Sequence, residues 1–197
     1  MARRYFTVLA AAAAVALGGC AMQQGGRAGA GGPMGAHGGH HGMPGPGAMA
    51  KISPTQGNQA SGVATFHEAG GQLMVHVRVT GLTPNAEHGF HVHERGDCSA
   101  PDATSAGGHF NPTGKPHGPQ GGEHHAGDLP NLKANAQGNA EMRVTLSGLT
   151  LSRGETSVLD RALVIHAQPD DYRSQPAGNS GPRIACGVIS SPVPPPR

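Results

Sequence analysis

A chain of 197 residues has room for one ordinary domain with appendages, and its Gly 33 and Pro 17, about a quarter of all residues, mark part of it as unstructured. With Trp 0, Tyr 2 and Phe 4 it cannot build a large aromatic core, which points to covalent or metal staples. His 13, about one residue in fifteen, provides the commonest metal-binding side chain, and a formal charge of only +2 with no Lys/Arg cluster argues against nucleic acid as a partner.

Arg3 and Arg4 precede an apolar stretch from Tyr5 to Leu17, too short to span a bilayer comfortably and of the length of a secretory leader. It ends in Leu17-Gly18-Gly19-Cys20, which resembles a bacterial lipobox. Residues 1–19 are therefore expected to be removed on export and Cys20 to carry the lipid that anchors the protein to a membrane, at ~0.8 kcal/mol per buried CH2. Loss of Arg3 and Arg4 reduces the 14 basic residues to 12, matching the 12 acidic ones, so the mature chain is near neutral. Cys98 and Cys186 then remain as an even pair in an oxidising compartment, and a disulfide between them is expected.

Residues 20–50 form the expected tether, rich in Gly and without apolar periodicity. His37, His40, His41, Met34, Met43 and Met49 within it are either compositional drift in a spacer or a loose copper-binding segment, since thioether and imidazole both suit copper. Residues 51–191 carry the folded domain. In Gln72 to Thr80, Leu73, Val75, Val77 and Val79 alternate with Met74, His76 and Arg78, the period of a half-buried strand. Similar short runs at Gly62 to Glu68, Glu141 to Leu146, Ala162 to His166 and Arg183 to Ile189 argue for an antiparallel sandwich or barrel. Residues 192–197 (PVPPPR) cannot join a ladder and read as a tail.

Three clusters carry chemistry. His91 and His93 stand two residues apart, so on a strand both point to one face and can chelate one ion. A Gly/Pro-rich loop holds His109, His117, His124, His125 and Asp128; three His and an Asp satisfy tetrahedral zinc, which would organise that loop. His166 closes the apolar run Ala162-Leu163-Val164-Ile165.

Taken in order, GFHVHE, the Gly96-Asp97-Cys98 step, AGGHFNP, HGPQ, HAGDLPNL, ALVIHA and NSGPRIACGVI resemble the copper/zinc superoxide dismutase family over roughly residues 51–190. The resemblance implies an all-β fold, an eight-stranded Greek-key β-barrel or sandwich with long metal-binding loops. It implies copper held by His91, His93, His109 and His166, zinc held by His109, His117, His125 and Asp128, and His109 bridging the two. Catalysis would fall to Arg183, matching the family's anion-guiding arginine, and to His109, which exchanges a proton. Asp170 would orient His91 and His117, and His88 would pack beside the copper strand. His125 is preferred to His124 by the family spacing His-x-Gly-Asp. The implied reaction is dismutation of superoxide to dioxygen and hydrogen peroxide outside the cytoplasm, with copper doing the redox chemistry and zinc a structural one. The rival reading is a non-enzymatic copper-binding or buffering protein on the same fold, which would have no use for Arg183; a zinc hydrolase is a distant third. The sequence leaves the oligomeric state open, a homodimer included.

Overall fold

The computed structural model describes residues 47–192. Within them nine strands form: β1 (Ala48–Pro54), β2 (Ser61–Ala69), β3 (Gln72–Thr80), β4 (Glu87–His88), β5 (Phe90–His93), β6 (Leu132–Lys133), β7 (Ala140–Ser147), β8 (Ala162–His166) and β9 (Arg183–Ser190). Seven of them make a curled antiparallel sheet in the order β5-β8-β9-β1-β2-β3-β7, and β4 pairs with β6 in a two-stranded ribbon. The chain crosses from β3 to β5 at the far edge and back from β7 to β8, a Greek-key connectivity. The leader, Cys20, the tether up to residue 46 and tail residues 193–197 lie outside the described residues.

The expected alternation is met closely in β3, where Leu73, Val75, Val77 and Val79 are buried and Met74 and Arg78 are exposed. The boundary drawn at residue 51 moves: β1 starts at Ala48, and Ala48, Ala50 and Ile52 enter the core. Two alanines in a Gly/Ala-rich stretch look like low complexity, but pairing with Phe66 and Ala64 on β2 makes them core residues. Met49 accordingly belongs to a strand, paired with Thr65 and Ser190, and leaves the loose segment.

β5 and β8 are buried along their whole length, because loops cover the face that points away from the core. Phe90, Val92, Leu163 and Ile165 join the main core; Ala162 and Val164 face the other way, into a small cluster with Ala103, Ala106 and the disulfide cysteines. His91 is registered opposite Val164 and His93 opposite Ala162, so both imidazoles share that second face.

The other edge of β5 is closed by the loop between β5 and β6. Val92 N–H donates to Gly127 O, Phe110 N–H to Val92 O and Gly127 N–H to Phe110 O, each at 2.8 Å. Gly127 is required here: a Cβ would stand 2.2 Å from Val92 O. Cys98 and Cys186 are joined by a disulfide that ties the start of this loop to β9 across 88 residues.

Candidate metal centre

Strand alternation supplies two ligands and loop geometry the rest. His91 and His93 come from β5 and His166 from the end of β8, while isolated bridges His91 to Asp128 and His93 to His109 bring the loop residues alongside. Ligand atoms of His91, His93, His109 and His166 lie within 4.8 Å of one another, and so do those of His109, His117, His125 and Asp128; all are buried. His109 belongs to both groups. His125 enters the second group, whereas half-buried His124 hydrogen-bonds to Gly122 O and stands outside both groups.

The outward nitrogen of each anchoring ring is held by an acceptor. His93 Nδ1 donates to Gly107 O (2.9 Å), His166 Nδ1 to Gly181 O (3.1 Å), and His91 Nε2 and His117 Nε2 donate to the two oxygens of Asp170 (2.8 and 2.9 Å). Carbonyl and carboxylate oxygens can only accept, so the hydrogen of each ring sits on that nitrogen and the lone pair of the other turns inward. In the first group His93 Nε2 and His166 Nε2 stand 3.4 Å apart. In the second, Asp128 Oδ1 lies 2.7 Å from His109 Nδ1 and Asp128 Oδ2 lies 3.0 Å from His117 Nδ1. His88 lies behind β8, its Nδ1 donating to His166 O at 2.8 Å.

Burial pushes His91 and His93 well below the ordinary imidazole value, with the neighbouring His109 adding to it, and brings His166 down to about 4. Burial also lowers His125, against the pull of Asp128. Burial acts upward on Asp128, but its hydrogen bond with His109 and the surrounding imidazoles hold it below the usual carboxylate range. At neutral pH His91, His93, His125 and His166 are thus neutral imidazoles and Asp128 an ionised carboxylate, the states in which these groups bind metal.

The fit to metal ions is tested by the polar atoms left over. His91 Nδ1, His109 Nε2 and His117 Nδ1 are buried without a hydrogen-bond partner, as is His88 Nε2 outside the two ligand groups. One such atom costs ~1–3 kcal/mol, and these three lone pairs, His91 in the first ligand group, His117 in the second and His109 in both, are satisfied by a Lewis acid in each. His117 Nδ1 approaches Asp128 without forming a hydrogen bond, as two ligands of one ion do.

Arg183 reaches the site through a register slip. β9 is offset between Ile165 and His166, so that His166 faces Arg183. Strict alternation would send Arg183 to the core side with Ala185; instead Ile184 packs on the core and the guanidinium donates to Ala103 O and Gly107 O, both at 2.6 Å. Gly107 O therefore serves Arg183 and His93 together.

Asn131 and Gln175 were not anticipated. Asn131 exchanges two hydrogen bonds with the Asp170 backbone, and Gln175 grips the backbone of His117. Both are neutral amides in turn-rich segments, and nothing in local spacing singles them out.

The chain matches the family model described as copper/zinc superoxide dismutase (SODC) over residues 60–189. It is 47% identical over 149 residues to superoxide dismutase [Cu-Zn] 2 of Aquifex aeolicus, covering 72% of this chain and 85% of that protein. It is 45% identical over 124 residues to the superoxide dismutase-like protein YojM of Bacillus subtilis, covering 59% of this chain and 62% of that protein. Among solved structures, a double mutant of a SOD-like protein from Bacillus subtilis superposes with a TM-score of 0.66 at 40% identity, covering 73% of this chain and 97% of that chain. Fold, paired clusters of candidate metal ligands and similarity over most of the domain agree: the chain belongs to the copper/zinc superoxide dismutase family, whose cofactors are copper and zinc and whose reaction is the dismutation of superoxide.

Proposed function

We propose that His91, His93, His109 and His166 hold copper, that His109, His117, His125 and Asp128 hold zinc, and that the protein dismutates superoxide outside the cytoplasm. The observation that carries this reading is the pair of buried four-ligand groups sharing His109. Copper supplies the one-electron change that converts one superoxide to dioxygen and the next to hydrogen peroxide, a change unavailable to d10 zinc.

The residues of the chain supply everything else. Arg183, half-buried and locked by two carbonyls, places a fixed positive charge beside His93 and His166, where it draws a small anion in. His109 Nε2, buried and without a protein partner, is the internal atom that holds a proton when it is not a ligand and passes it to the reduced oxygen species, the second proton coming from solvent. Asp170 fixes the rings of His91 and His117 from behind, and His88 supports the backbone of His166. Zinc, on this reading, organises the loop that carries His109, His117, His125 and Asp128. Export is supported by the disulfide, and the Leu17-Gly18-Gly19-Cys20 motif supports a lipid anchor at Cys20.

One preparation tests the whole reading. Protein isolated from the membrane fraction is expected to contain about one copper and one zinc per chain, with superoxide consumption proportional to copper. Full activity without copper overturns the copper assignment, and recovery only in the soluble fraction removes the anchor.

A further inference from the structure

Gln175 lies in the segment between β8 and β9, and its amide engages both backbone polar groups of His117. His117 N–H donates to Gln175 Oε1 (2.9 Å) and Gln175 Nε2 donates to His117 O (2.8 Å), across 58 residues of sequence. A side chain here makes the pair of bonds that a neighbouring strand would otherwise make.

The platform beneath Gln175 is itself ordered. The Asp171 carboxylate accepts from the N–H groups of Arg173 and Ser174 and from the side chains of Ser174 and Asn179, which holds its pKa down at about 2. Gly178 then closes over the site: a Cβ there would stand 1.8 Å from Asp170 Oδ1 and 2.7 Å from His117 Nε2. His117 is thus held at its backbone by Gln175 and at Nε2 by Asp170, and only its buried, unpartnered Nδ1 is left for the second group of ligands. Among the described residues, the other members of that group, His109, His125 and Asp128, have no hydrogen bond to the segment 171–182.

We propose that Gln175 is a positioning residue for zinc: by clamping the main chain of His117 it sets where Nδ1 stands, and it governs retention of zinc while leaving copper alone. The proposal rests on the reading that the second ligand group holds zinc. Asp170 touches ligands of both groups and cannot separate the two ions; Gln175 touches a ligand of one group only.

The test uses the full chain loaded with both metals. Gln175→Met preserves side-chain length and removes both hydrogen bonds; Gln175→Glu keeps the acceptor for His117 N–H and loses the donor to His117 O. Zinc release to an excess of chelator is expected to be about tenfold faster in the Met variant, with the Glu variant intermediate. Copper release at saturating zinc, and the melting temperature of the metal-free protein, are expected to match wild type. Zinc release from the Met variant within about twofold of wild type overturns the proposal, as does equal acceleration for both metals with a lower metal-free melting temperature, the signature of a merely structural residue. A His125→Ala protein that still binds zinc at wild-type stoichiometry and rate of release removes zinc from the second group; the proposal then falls with that reading, whatever Gln175 does.

Discussion

Arg183 combines two jobs in one side chain, since the hydrogen bonds that fix its guanidinium also brace the carbonyl on which His93 leans. Reversal of its charge should therefore be more damaging than its removal from an open surface. Arg183→Glu is expected to lower kcat/KM by at least about tenfold with metals retained, and the wild-type rate is expected to fall as ionic strength rises. Stopped-flow superoxide decay on metal-analysed protein measures both, and an undiminished rate would remove Arg183 from the mechanism. The imidazoles set a second expectation, for the metal-free protein. His166 takes a proton only near pH 4 when folded, against 6.5 when unfolded, and His91 and His93 are shifted in the same direction. Between those values the unfolded chain binds more protons, so stability is complete above about pH 6.5 and declines as pH falls towards 4. Denaturant midpoints of chelated protein at pH 7 and pH 5 should differ accordingly, with the lower midpoint at pH 5.

At the scale of elements, the site depends on closing the free edge of β5 with a loop instead of a strand. Backbone hydrogen bonds at Phe90 and at both polar groups of Val92 do this, and they need the main chain to pass within contact distance of Val92 at Gly127. Gly127→Ala is expected to cost about 1–3 kcal/mol and to weaken metal retention, because the added methyl pushes the ligand-bearing loop off β5. Gly108→Ala adds a methyl where nothing lies within 4 Å and serves as the control, with a near-native unfolding midpoint. Equal midpoints for the two variants would show that edge closure at Gly127 does not hold the site. The slip in β9 is the other decisive element, since it turns Arg183 towards the site while Ile184 stays with the core.

For the molecule as a whole, stability is concentrated in few places. The core is mainly Ala, Val, Leu and Ile with three Phe, and one face of β5 and β8 is covered by polar loops that carry the candidate metal ligands. The disulfide, closing a long loop, contributes about 2–4 kcal/mol, and ions held as proposed would satisfy lone pairs that are buried and unpaired. Chelation combined with reduction is expected to lower the melting temperature by more than about 10 °C, whereas Arg153→Gln on an exposed loop should change it by no more than about 2 °C. Calorimetry of the three samples decides this; a metal-free, reduced protein melting within a few degrees of the intact one would contradict it.

Period-two alternation found β3, because a half-buried strand writes its two faces directly into the sequence, and short runs bounded by turn residues found β2, β7, β8 and β9 within a residue or two. The candidate ligands were legible in a different way. Read alone, His91 and His93 amounted to a weak pair; it was the order of the motifs, through the family resemblance, that joined them to His109, His117, His125, Asp128 and His166. Ala48 and Ala50 were missed because small side chains carry almost no hydropathic signal until a partner strand buries them. Local sequence also carries no trace of the β9 slip, of the Gln175 clamp on His117, or of the lone pairs that converge between β5 and the loop beside it. Those depend on register and on contacts between segments far apart in the chain. The sequence by itself thus determined which residues can bind metal and which strands carry them, since both are properties of side-chain type and local period. Only the tertiary structure decided how they meet, because convergence is set by inter-strand offset and loop closure, which no local pattern encodes.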